Sequence, residues 1–424
     1  VATKYKFNNF EPLVYLTEDQ GNSWRRIVRG IEAEHFMRVV REDPVRPGLL
    51  YGGSERGFYV SFNEGERWQP LQLNLPVCPI TDLQVKGNDL IASTSGRSFW
   101  ILDGLAPLRQ LKEQIIQRAY LFEPEPAIRF MAEEAEELPP GLGQNPPNGL
   151  QVCYYLPEQL DSFRLKLDIL DAFGNTVRTF TNEPDSTAVA YEGGPKPDPL
   201  LPDCRGLNVF YWDLRREAMP GIPNVFIMGG YQGSLVPPGQ YHLHLTTPYG
   251  VLKTKTTLLA DPRLNATPEA YLAQQELLQR IEGAIRDIHT SVQHMRNVKD
   301  QVERLHTNLQ QVDCTQEILD AGACIVERIT AWEANLIQPK QETFQDVINF
   351  PNRLSAELMD LKARVDHPNP VVTEGAAQRL EHLLQQWMET KQQMRKIIDK
   401  DVATFNRLYK TYQIPAIVLP LGAE

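Results

Sequence analysis

Five side chains in the first hundred residues have the types needed for carbohydrate chemistry: Arg38, Arg56 and Arg97, with the acids Glu55 and Asp82. Converging arginines clamp a carboxylate, and two acids flanking a glycosidic bond supply the acid and the base or nucleophile of its hydrolysis. Nothing in their spacing draws these five around one pocket. Arg56 and Arg97 hold equivalent places in a repeat, Gly52-Gly-Ser-Glu-Arg-Gly-Phe-Tyr59 against Ser93-Thr-Ser-Gly-Arg-Ser-Phe-Trp100. That equivalence favours a structural role, such as an ion pair between repeats. His242 and His244 alternate along one strand and so face the same side, but they lack a third ligand and are expected on an exposed strand face. No Gly-x-Ser-x-Gly elbow accompanies the histidines, no Gly-rich phosphate loop is present and no Cys/His cluster has metal-ligand spacing. No catalytic set, metal or cofactor is therefore expected.

The elements that would position such side chains are announced by a second repeat. Thr17-Glu-Asp-Gln-Gly-Asn-Ser-Trp24 and Ser61-Phe-Asn-Glu-Gly-Glu-Arg-Trp68 share the pattern Ser/Thr, x, Asp/Asn, x, Gly, x, x, Trp, 44 residues apart. A fixed period of this length marks a repeat architecture. The motif reads as a hairpin lock. Thr17 or Ser61 ends a strand, Asp19 or Asn63 accepts backbone N–H groups, Gly21 or Gly65 takes a positive φ, and Trp24 or Trp68 packs between repeats. These eight residues are expected to hold turns and do no chemistry.

The 424 residues carry a net charge of −11, which argues against nucleic acid or an anionic membrane surface as partner. No apolar run is long enough to span a bilayer. Residues 1–110 are short strands broken by Gly, Asn and Pro, 111–149 read as a Pro-rich connector, and 150–262 show the alternation of a β-sandwich. Residues 263–424 switch to helical periodicity: one long helix from Thr267, then helices over about 315–337, 351–366 and 373–410, an antiparallel bundle. Among the five cysteines, Cys153 with Cys204 and Cys314 with Cys324 are candidate disulfides, leaving Cys78 over; scattered core cysteines are the alternative. Residues 150–424 are expected to stand as a soluble unit, whereas 1–110 alone should aggregate or stay unfolded.

The two locks resemble the Asp-box of sialidase-like and sortilin-like propellers. With Val39-Val-Arg-Glu-Asp-Pro44, Pro47-Gly-Leu-Leu-Tyr-Gly-Gly53, Gly96-Arg-Ser-Phe-Trp-Ile-Leu-Asp103 and Gly206-Leu-Asn-Val-Phe-Tyr-Trp-Asp-Leu214, the chain resembles the C-terminal portion of the large bacterial BNR-repeat, sortilin-like β-propeller proteins often labelled glycosyl hydrolase. The resemblance implies the last two to three blades of an incomplete propeller, an Ig-like or fibronectin-like sandwich and a helical tail. It also implies an exported protein, periplasmic or extracellular. Residues 1–110 supply roughly two and a half blades where closure takes about four to eight, so the remaining blades are expected from an upstream part of the same polypeptide or a cleaved chain. Asn63 replaces the usual Asp, and Ser95 stands where the family often carries His. The expected function is non-catalytic protein binding or assembly of a larger complex; the alternative is a sialidase-like glycoside hydrolase with its site on the missing blades.

Overall fold

The computed structural model describes residues 2–112, 117–130, 142–160, 163–186, 190–309 and 316–413. Strands fill residues 2–102. β1 (Ala2–Lys4) pairs with β2 (Asn9–Leu13), and β3 (Tyr15–Leu16) pairs with β4 (Arg25–Arg26) across the first lock. β5 (Met37–Glu42), β6 (Leu50–Ser54), β7 (Phe58–Ser61) and β8 (Gln69–Pro70) follow one another as a four-stranded antiparallel sheet. β9 (Ile80–Lys86), β10 (Asp89–Thr94) and β11 (Phe99–Leu102) form a three-stranded one. These two sheets bury Val39, Leu49, Tyr51, Val60, Ile80, Leu83 and Leu90 between them. The approach is close because β6 carries a glycine pair: a Cβ on Gly53 would lie 2.5 Å from Ile80 Cγ2 and one on Gly52 2.9 Å from Trp68 Cζ3.

A short helix, α1 (Ala106–Gln110), clamps back onto the four-stranded sheet. Arg109 Nε donates to the fully buried Asp43 carboxylate at 3.0 Å, and Arg46 Nη1 donates to the carbonyls of Leu108 and Leu111. Burial opposes the Asp43 charge, but backbone N–H donors of Arg46 and Val45, with Arg109 and Tyr51, hold its carboxyl below the usual value.

The stretch read as a connector supplies strands to both sheets that follow. β12 (Tyr120–Leu121) pairs with β14 (Leu150–Leu156), which pairs with β17 (Gly206–Trp212). β13 (Ala127–Arg129) runs parallel to β19 (Gly250–Ala260) at the edge of a five-stranded sheet, in the order β13, β19, β18 (Gly239–Thr247), β15 (Lys166–Leu170) and β16 (Thr176–Thr181). The two sheets share one core built on Val152, Tyr154, Leu167, Phe180, Phe210, Trp212 and Leu243. The acidic run Glu133-Glu-Ala-Glu-Glu137 within the connector lies outside the described residues.

Helices occupy the rest: α2 (Pro268–Leu309), α3 (Gln316–Leu336), the single-turn α4 (Asp346–Asn349), α5 (Leu354–Val365), α6 (Glu374–Lys396) and α7 (Ala403–Thr411). Thr267 caps α2, its Oγ1 accepting from Ala270 N at 3.3 Å. Residues 397–402 join α6 to α7 as a turn of wider π-helix inside the single helix expected over 373–410. The helical core also takes Met219, Ile222, Val225, Ile227 and Tyr231 from the segment between β17 and β18. That segment is pinned by a polar row on α2. Arg286, His289, Gln293 and Arg296 bond the carbonyls of residues 217, 218, 220, 221 and 223 in turn, at 2.6–2.9 Å. Their spacing of three and four puts all four on one helix face. The 150–262 unit therefore lends part of its chain to the helical region.

Beside it a buried arginine joins three elements. Arg129 is 1% exposed and donates to Val236 O, Pro368 O and Gln274 Oε1, stacking over Tyr271. Residues 150–424 alone would lack this arginine and its three bonds.

Candidate functional site

Both locks form the bonds their residue types dictate. In the first, Thr17 Oγ1 donates to Asp19 Oδ1 at 2.9 Å and accepts from Gly21 N at 2.8 Å, while Asp19 Oδ1 accepts from Ser23 N at 2.8 Å. In the second, Ser61 Oγ donates to Asn63 Oδ1 at 3.1 Å and accepts from Gly65 N at 2.9 Å, while Asn63 Oδ1 accepts from Arg67 N at 3.0 Å. The glycines sit at φ +96° and +82°. Asn63 replaces the carboxylate because the lock uses one acceptor oxygen. Side-chain and backbone donors of Ser23, then Thr17, hold the Asp19 carboxyl down to about 2.

The tryptophans differ. Trp68 is 1% exposed and its Nε1 donates to Ile27 O of the preceding repeat at 2.9 Å. Trp24, expected between repeats, is 61% exposed and donates only within its own turn, to Gly21 O. Among the described residues there is no preceding repeat for it to enter.

The candidate sugar-binding residues do not converge. Arg38 is held by Glu55, Nε to Oε2 2.6 Å, and by the rings of Phe36 and Tyr5. Asp82 pairs with Arg41 at 2.7 Å, tying β9 to β5. Arg56 and Arg97 form no ion pair among the described residues, correcting the expected bridge between repeats. They are exposed at the tips of the β6–β7 and β10–β11 hairpins, where Ser54 Oγ and Thr94 Oγ1 take their backbone N–H groups. His242 and His244 face one side of β18, half-buried between core residues. Burial, then Lys253 and His242, lowers the His244 pKa. No three His, Cys, Asp or Glu side chains among the described residues gather at metal-ligating spacing.

The cysteine pairing expected in the sandwich is overturned. Cys153 and Cys204 are both free. Successive residues of β14 point to opposite faces. Cys153 packs with Phe122, while Cys204 precedes β17 on the Tyr154 side, where the Tyr154 hydroxyl donates to Pro202 O. Cys324 is free and exposed on α3, Cys78 is buried, and Cys314 lies outside the described residues.

One pair has the form of an activated nucleophile and went unread in the sequence. His289 Nδ1 lies 2.6 Å from Pro220 O and Nε2 2.6 Å from Ser355 Oγ. A carbonyl only accepts, so Nδ1 carries the proton and the neutral Nε2 accepts from the serine. Both residues are 0% exposed and burial holds the His289 pKa down to about 4, so the pair is a core lock that no substrate reaches.

One accessible concave site among the described residues is a cleft of about 230 Å³ between the three-stranded sheet, α1 and the outer face of β14 and β17. The β10–β11 register pairs Leu90 with Leu102, and so brings Asp89 and Asp103 close together on the cleft lining. Burial, then the Asp89 charge, raises the Asp103 pKa. Gln151 Nε2 donates to Tyr211 Oη at 2.9 Å, and Phe122 lines the wall. The sequence offered no cue to this cleft, because its walls come from segments far apart in the chain.

No protein-family model matches this chain, and no curated protein matches its sequence.

Proposed function

We propose that this chain is a non-catalytic binding or assembly protein whose first sheets are the last blades of a β-propeller completed by further blades. The observation that carries the reading is the pair of locks, bonded alike 44 residues apart, one tryptophan buried by its neighbour and the other bare. The far side agrees: Phe99 and Ile101 of β11 are 76% and 58% exposed on the face turned away from the four-stranded sheet. A blade end left open in this way exposes apolar surface that a neighbour normally covers. The two-sheet unit is read as Ig-like and the helices as an antiparallel bundle, a spacer and a packing element. Export to the periplasm or the cell exterior belongs to the same reading, and no helix among the described residues is long and apolar enough to cross a membrane.

Native co-purification tests it. The protein isolated from its source should carry additional propeller blades, in cis or as a bound chain, together with a stoichiometric protein partner. A monomer of this chain alone that turns over glycosides would overturn it.

A further inference from the structure

β17 ends its three-stranded sheet with an open edge. The strand order is β12, β14, β17, and among the described residues no strand or backbone hydrogen bond reaches the far side of β17. The β16 edge of the neighbouring sheet is different, because coil covers it: Leu201 N donates to Thr181 O and Glu217 N to Val177 O. Register fixes which groups β17 leaves free. Cys153 O accepts from Phe122 N, so at that residue β14 turns its backbone groups toward β12. Val209, opposite Cys153, therefore sits in a non-hydrogen-bonded pair and points its own N–H and C=O out of the sheet. The two-residue period does the same at Leu207 and Tyr211.

β17 runs seven residues without a bulge, a proline or a lysine, the devices that keep edges from pairing. On its outer face Leu207 is 50% and Val209 40% exposed. The segment is also its own complement. Laid antiparallel on itself about Val209, it sets Arg205 opposite Asp213 and Leu207 opposite Tyr211. Arg205 is exposed and forms no ion pair among the described residues. Asp213 shares the single Arg178 guanidinium with Asp198 and keeps 51% of its side chain exposed, so it retains negative charge to offer.

We propose that two copies of this chain pair antiparallel through β17, Val209 facing Val209 across a two-fold axis. The outward N–H and C=O groups of Leu207, Val209 and Tyr211 are then met, and Arg205 of each copy lies against Asp213 of the other. One strand pair with its apolar face is smaller than an obligate dimer interface, so a Kd of about 1–100 µM is expected. The pairing uses the sandwich alone and holds whether or not further blades complete the first sheets.

Sedimentation velocity of the full chain, from about 1 to 300 µM, tests this together with amide exchange at both ends of that range. A dimer should form, and the Leu207, Val209 and Tyr211 amides should exchange at least about fivefold more slowly in it. Val209→Pro removes an N–H that the fold itself does not use, on an edge strand where proline is tolerated. It should abolish the dimer while circular dichroism stays unchanged. Arg205→Glu should raise Kd about tenfold, because it sets like charges together at both ends of the strand pair. A chain that stays monomeric throughout, a dimer whose three amides exchange as in the monomer, or an unchanged Kd for Arg205→Glu would overturn the proposal. The first two readouts use the unaltered protein, so they decide even where a variant does not fold.

Discussion

The two lock turns have the same sequence pattern, the same three hydrogen bonds and the same left-handed glycine, yet their tryptophans have opposite fates. Trp68 reaches across to Ile27 and is sealed between repeats; Trp24 lies on the surface at 61% exposure. Local sequence sets the turn in both cases, since the donors and acceptors lie within five residues of one another. What differs is the neighbour. Burial of a lock tryptophan is a property of the repeat before it, and the difference marks where the stack of sheets is open.

Substitutions should separate the turns in a defined order. Trp68→Ala should destabilise the four-stranded sheet by about 3–5 kcal/mol, read as lost amide-exchange protection in β5–β8. The helical region provides an acid threshold against which that sheet can be compared. The folded His289 value near 4 lies below the usual 6.5, so the unfolded chain binds the extra proton. The stability it contributes is complete above pH 6.5 and lost as pH falls toward 4. The helices should weaken there by about 3 kcal/mol, seen in urea titrations followed by helical circular dichroism.

Gly65→Ala should cost about 1–3 kcal/mol, because the new Cβ is strained at φ +82° and would lie 2.5 Å from Ile27 Cδ1. Gly21→Ala meets only Trp24 at 3.7 Å and should cost less, which exchange at residues 17–24 would register. Acid should then distinguish the turns. Asp19 is depressed from 3.8 to about 2, so its contribution is full above pH 3.8 and lost as pH falls to 2. Asn63 does not titrate. Exchange protection at the Gly21 and Ser23 amides should fall over that window, while the Gly65 and Arg67 amides respond only to global unfolding. Trp24→Ala should change stability by no more than about 0.5 kcal/mol, measured in the same titrations.

Much of this organisation was legible because it is periodic or local. The locks follow from hydroxyl, carboxamide and glycine spacing, and α2 from its apolar stripe beginning at the Thr267-Pro268 cap. The strand-to-helix switch near Asp261 follows for the same reason. What escaped reading is held by contacts distant in sequence. Arg129 bonds Pro368, and the segment around Met219–Tyr231 sits in the helical core because α2 reads its carbonyls, an interaction with no side-chain signature of its own. The same holds for the cleft, where Asp89 and Cys153 meet only after the first sheets dock on the sandwich. Cys153 and Cys204 looked like partners because they sit at the edges of one β domain, but the two-residue alternation of β14 turns one away from the other.

The claim that further blades cover the open ends is tested most directly by hydroxyl-radical footprinting of Trp24, Phe99 and Ile101. The protein purified from its native source would be compared with the isolated chain, using Trp68 as the buried reference. The account predicts strong protection of all three in the native assembly and ready oxidation of each in the isolated chain. Equal oxidation in both preparations would contradict it.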